Sequence, residues 1–234
     1  MSERIHTIKR KCLNAIVQDS NATMFQLVNH EALYNHLPII TQDREQVEHN
    51  VTYLQLIPYV VLIDKNIQEN GDTWVLSYRR KGSEERLYDN YSIGFGGHWA
   101  TGETLYECIA RELKEELNCS YDEGLLEIDN TFFSTFTVPV DLLYVQEDDI
   151  DGVSVNNVHL GILFAMFTNT AKLLQKLKGT NNDEVISLER VLLSSVNRNI
   201  SYEAWSTTAV KKLFARIPDL VPLLRVFNQY SRAN

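Results

Sequence analysis

Three cysteines in 234 residues are too few for a disulfide framework. Cys12, Cys108 and Cys119 are odd in number and have no metal-binding spacing, so they read as reduced thiols in a reducing compartment. No stretch reaches the roughly 18 consecutive apolar residues of a membrane helix, which argues against a helical span. The opening MSERIHTIKRK lacks the apolar centre of a signal peptide. A cytoplasmic protein is the expectation. Positive charge is also short. The 22 Lys and Arg face 31 Asp and Glu, for a net charge of −9. That balance argues against a broad nucleic-acid surface. A nucleotide substrate stays open, because a bound metal supplies its own local positive charge.

What the chain does have is an unusual run of acids between Gly97 and Cys119, GHWATGETLYECIARELKEELNC. Thr104 and Glu107 have the spacing of a capping box, which starts a helix near residue 104. No Pro or Gly interrupts Thr104 to Asn118. At about 100° per residue, Leu105, Ile109 and Leu113 make an apolar stripe. Glu112 and Glu116 project from near the middle of that stripe, with Glu115 at its edge. Carboxylates on a core-facing side lose hydration and repel one another a turn apart. Two readings compete. In one, the acids are solvated and paired with Arg111 and Lys114. In the other, they converge on a divalent cation, since hard oxygen ligands suit Mg²⁺ or Mn²⁺.

The flanking residues weigh on that choice. Gly97 is followed by five residues and then Glu103; seven more lead to Arg111-Glu112-Leu113-Lys114-Glu115-Glu116. This resembles the Nudix box, the signature of the Nudix (MutT-like) hydrolases, with every charged position matched. Asn118 and Cys119 depart from it, standing where the family has Gly and a larger aliphatic residue. Asn is the next best residue to Gly for a left-handed helix end, and Cys behaves as a small hydrophobe. The segments Gln55–Leu62, Ser92–His98 and Val158–Phe164 are similar to a poorly characterised subgroup of predicted phosphoesterases in that family.

The resemblance implies an α/β chain with the Nudix fold, an α/β/α sandwich around a mixed β-sheet. It implies Mg²⁺, with Mn²⁺ as a substitute, and hydrolysis of a nucleoside diphosphate linked to another group. Glu112, Glu115 and Glu116 would be metal ligands, joined by the Gly97 carbonyl. Glu103 and Arg111 would hold loop and helix in register by a salt bridge. Glu184 is the candidate for a base or further ligand from the closing strand, with Glu189 in reserve. The alternatives are a hydrolase or isomerase of non-nucleotide diphosphates and a catalytically silent sensing domain. The partner implied is a small molecule, and homodimers are common in the family.

The rest of the chain reads as residues 1–54 packing as an extension on a domain of residues 55–234. Within residues 1–54, 12–18 read as a strand or short helix and 24–36 as a helix. Tyr53–Asp64 and Thr73–Arg80 form a hairpin around Glu69-Asn-Gly-Asp72. Pro58 marks an edge, bulge or start in the first of these strands. Arg79, Arg80, Lys81 and Arg86 read as solvated bases, or as phosphate contacts. His98 is a proton-shuttle or phosphate-contact candidate, and Trp99 a loop aromatic. The acidic residues 141–151 read as a solvated loop. Val158–Thr168 is a strand in which His159 has a satisfied hydrogen bond. Residues 169–178 are helical, and Ser201–Ile217 is a helix ended by Pro218, with a short helix after it.

Overall fold

The computed structural model describes residues 3–13, 37–81, 89–122, 124–146, 154–178, 185–198 and 202–230. The expected helix over 24–36, most of the segment 12–18, Arg86, the acids at 147–151 and Glu184 lie outside these residues. The chain divides into two units, one of Met1–Tyr59, Gly96–Ile109 and Pro139–Phe164, the other of Val60–Phe95, Ala110–Val138 and Ala165–Asn234.

In the first unit, strand β1 (Arg4–Lys9) lies between β2 (Ile40–Asp43) and the start of β3 (Tyr53–Asp64). Both pairings are antiparallel, with Thr7 opposite Ile40 on one side and Gln55 on the other. Ile5 to Ile8 are all buried, as a strand covered on both faces requires. A short helix, α1 (Arg44–Val47), follows β2. Strands β10 (Phe136–Leu143) and β11 (His159–Thr168) continue the order as β10-β11-β3-β1-β2. The loop before the box is held by this sheet. Trp99 N–H donates to the Leu56 carbonyl at 3.1 Å, and His6 N–H donates to the Trp99 carbonyl at 2.9 Å.

In the second unit, β4 (Trp74–Arg80) pairs antiparallel with β3 through Ile63 and Val75. The hairpin turn is as expected: Gly71 has φ of +81°, and Gln68 N–H donates to the Asp72 carbonyl at 2.8 Å. Strands β5 (Tyr91–Ser92) and β6 (Gly94–Phe95) are short and pair with β4 and β3. Strands β7 (Ser120–Asp122), β8 (Leu125–Ile128) and β9 (Thr131–Ser134) form a separate antiparallel sheet. Strand β12 (Val185–Leu192) runs antiparallel along β4. The neighbours β3 and β11 finish together, since Lys65 N–H donates to the Thr168 carbonyl at 2.8 Å. They therefore run in the same direction, and the sheet is mixed.

Helix α2 (Leu105–Leu117) carries the box acids. Its start is the expected capping box: Thr104 N–H donates to the Glu107 carboxylate at 2.7 Å, and Glu107 N–H donates to Thr104 Oγ1 at 3.1 Å. Its end is Asn118, in the left-handed region with φ of +55°, whose N–H donates to the Lys114 carbonyl. Thr104→Ala is expected to cost about 1 kcal/mol in urea denaturation, with Thr104→Ser close to wild type. Equal loss in both variants would assign Thr104's contribution to packing and not to the cap.

Helices α3 (Thr170–Leu177), α4 (Leu193–Val196) and α5 (Ala204–Tyr230) complete the second unit. Pro218 does not end a helix, contrary to expectation; it and Pro222 lie inside α5. Each removes a backbone donor and crowds the carbonyl four residues back, at about 3 kcal/mol. The buried series Ala209, Val210, Leu213, Ile217, Leu220 and Leu224 continues at helical spacing through both prolines, and its burial offsets that cost.

Candidate active site

The apolar face of α2 is built from Leu105, Cys108, Ile109, Leu113 and Leu117, all buried. Glu112 shares that face and is only 7% exposed. Glu116, one turn on, is half-buried, while Glu115 and Lys114 are exposed. Arg111 closes over two of the acids. Its Nη1 donates to Glu112 Oε1 at 2.5 Å and lies 3.4 Å from Glu115 Oε2. Residues 111–116 carry three carboxylates against the two bases Arg111 and Lys114, so this turn of helix is net negative.

The second unit adds a buried polar group that the sequence did not single out. The Tyr78 phenol is held above its ordinary range, first by burial and then by the nearby charges of Glu116 and Glu203, with Arg80 opposing. Its hydroxyl donates to the Gly94 carbonyl at 3.0 Å and accepts from Arg80 Nη1 at 3.1 Å. Glu203, just before α5, has a buried carboxylate that accepts from the Ser92 hydroxyl at 2.6 Å and the Ser206 hydroxyl at 3.3 Å. Arg80 Nη1 is 3.8 Å from Glu203 Oε2. Of the bases expected to be solvated, Arg80 is thus half-buried against Tyr78 and Glu203, and Arg79 pairs with Asp89. Ser206 is a local partner of Glu203, but Ser92 and Arg80 come from distant segments, and short windows of sequence do not show them.

In the first unit, the loop residues have structural partners. Trp99 is wholly buried, its indole N–H donates to the Glu103 carbonyl at 2.9 Å, and its ring lies 4.4 Å from that of His6. The Glu103 carboxylate accepts from Ala100 N–H at 3.3 Å. His159 Nδ1 faces the Val155 carbonyl at 2.6 Å and so carries the proton. In the neutral ring its Nε2 is an acceptor, and it takes a hydrogen bond from His98 Nε2 at 3.1 Å. The Cys108 thiol donates to the His98 carbonyl. Cys119 is buried, and that burial pushes its thiol up to about 12.

Of the expected site residues, the structure brings Arg111, Glu112 and Glu115 together. Glu116 lies on the same helix, within reach of the Tyr78 environment. Gly97 and Glu103 belong to the first unit. Glu189 is exposed on β12, opposite Ser77. Among the described residues, no three His, Cys, Asp or Glu side chains converge into a preformed metal cage. The donor chemistry nevertheless fits a hard divalent cation: the half-buried Glu116 and the buried Glu112 offer carboxylate oxygens from one side of a helix. No described helix is long and apolar enough to cross a membrane.

No family model matches the chain. Protein YmaB of Bacillus subtilis (strain 168) is 29% identical over 130 residues, which cover 53% of each protein, so the chain spans about half the length of this relative. Among solved structures, Tm1382, named as a candidate Nudix hydrolase, superposes with a TM-score of 0.50 at 22% identity. The match covers 91% of this chain and 99% of that one. A mutT/nudix family protein from Listeria innocua is 14% identical, with a TM-score of 0.48 over 72% of this chain and 97% of its own. The near-complete superposition on Tm1382, with the mixed sheet and the capped acidic helix, gives this chain the Nudix fold.

Proposed function

We propose that this chain is a Nudix hydrolase that uses a divalent metal to cleave the pyrophosphate bond of nucleoside diphosphate-linked small molecules. The observation that carries the proposal is Glu112. A carboxylate on the buried face of α2, with a second acid one turn away, has a reason to be there when it holds a cation. The matched charged positions of the box and the Nudix fold support the same reading.

In this reading Glu112, Glu115 and Glu116 hold Mg²⁺ or Mn²⁺. When bound, such an ion neutralises phosphate charge and makes a coordinated water more acidic. Arg111 orients Glu112 and Glu115 through its shared contacts. Glu116 keeps a negative charge facing the Tyr78 environment. Glu184 stays the candidate base from the sequence. Reactions of this kind rest on positioning and charge stabilisation more than on covalent help.

The test is turnover of a mixed panel: a nucleotide sugar, a dinucleotide, a modified nucleoside triphosphate and a non-nucleotide diphosphate. Each is assayed with Mg²⁺, with Mn²⁺ and with EDTA. Metal-dependent release of a nucleoside monophosphate is expected. Turnover of the non-nucleotide compound alone would move the substrate class. A folded, metal-binding protein with no turnover would favour the sensing reading.

A further inference from the structure

The first unit contains a cavity of about 700 Å³ walled by Lys9, Arg10, Lys11, Tyr53, Tyr144 and Gln146, among others. Among the described residues, no Asp or Glu lines it. Three consecutive bases in one concavity are unexpected in a chain of net charge −9. Strand β1 ends at Lys9, and the 3-10 turn Arg10–Cys12 that follows brings all three to this wall.

Arg10 is committed to the protein. Its Nε donates to the Val51 carbonyl at 2.5 Å, and its two terminal nitrogens donate to the Tyr144 hydroxyl and the Asn157 carbonyl. It also lies over the Tyr144 ring, 5.8 Å from the centroid. It therefore contributes a fixed positive charge and a rigid wall. Lys9 and Lys11 are exposed, and neither ammonium group has an ion pair among the described residues. A lone surface lysine is ordinarily just solvated. Two of them beside an immobilised guanidinium, in a concave site whose described lining residues include no acid, focus a positive potential instead. Tyr144 accepts from Arg10, which leaves its own O–H to donate. Tyr53 and Tyr144 add aromatic faces against which a ring can pack. The volume falls in the range of small-molecule sites.

We propose that this cavity binds a phosphate-bearing small molecule of nucleotide size, with Lys9 and Lys11 on its phosphates and the tyrosines beside its ring. The site does not depend on the metal reading of the box, so it is tested with metal removed. Calorimetric titration in EDTA compares ADP, pyrophosphate and adenosine on the wild-type chain, on Lys9→Glu/Lys11→Glu and on Glu116→Gln. ADP is expected to bind the wild type and Glu116→Gln alike. It should bind the double lysine variant roughly tenfold more weakly or worse, and adenosine should bind much more weakly than ADP. Both lysines are exposed, so the double variant is expected to keep the wild-type circular dichroism spectrum and melt. Lysine to methionine at both positions provides a charge-neutral second variant with the same expected loss. Absence of ADP binding to the wild type, equal binding of adenosine, or binding lost in Glu116→Gln but kept in the lysine variants would each overturn the proposal.

Discussion

Replacing Glu116 with Gln is expected to lower kcat on the best substrate of the panel by roughly a thousandfold or more, with the fold intact. The change keeps the side chain's size and removes only its charge. Glu112 and Glu116 are four residues apart on α2, where like charges repel by a few tenths of a kcal/mol. If these acids were structural, the half-buried Glu116 would be expected to contribute to stability and the variant would melt lower. If they hold a cation, the metal-free variant should melt at or slightly above the wild type, and added Mg²⁺ should raise its melting temperature less than it raises the wild type's. The two measurements together separate the roles. Wild-type turnover in Glu116→Gln would remove this residue from the metal site, and a large loss of metal-free stability would make it structural.

The same logic explains why the acidic helix was legible in the sequence. Its start depends on Thr104 and Glu107 and its end on Asn118, each acting on backbone groups within a few residues. Interactions this local are written into short windows. The hairpin turn at Gly71 and strand β11 were readable for the same reason, as was His159, whose Nδ1 bonds a carbonyl four residues away. The place of Glu112 on the buried face follows from helical periodicity alone. What the sequence hid depends on distant partners. Pro218 reads as a helix stop until the apolar series on α5 is seen to be buried across it. Arg80 reads as a surface base until Glu203 is placed beside it by the packing of α5. Trp99 reads as a partly buried loop aromatic, yet its ring is fully enclosed and its backbone bridges β1 and β3.

Gly96 is the sharpest of these hidden constraints, and it yields the second large effect. A Gly-Gly pair such as Gly96-Gly97 permits a tight turn or a close backbone approach to a phosphate or a metal. At Gly96 the close approach is to protein. A Cβ added there would lie 1.9 Å from the Pro58 carbonyl oxygen and 3.2 Å from the Tyr59 Cα. Neither is the end of a flexible side chain; both belong to the backbone of β3, in a run of buried residues from Leu54 to Asp64. A methyl group therefore cannot be accepted by a rotamer change, and the strand or the loop must move. Gly96→Ala is expected to destabilise the chain by at least about 3 kcal/mol, at or above the upper end of ordinary overpacking. Urea denaturation at constant m-value is the measurement, with Gly102→Ala as a contrast. Gly102 has open space around its Cβ position and a φ of +94°, so its penalty comes from backbone conformation alone, on the order of 1 kcal/mol. If Gly96→Ala were no more costly than Gly102→Ala, the contact with Pro58 would be soft, and the loop leading into Gly97 would not be held by the strand as described.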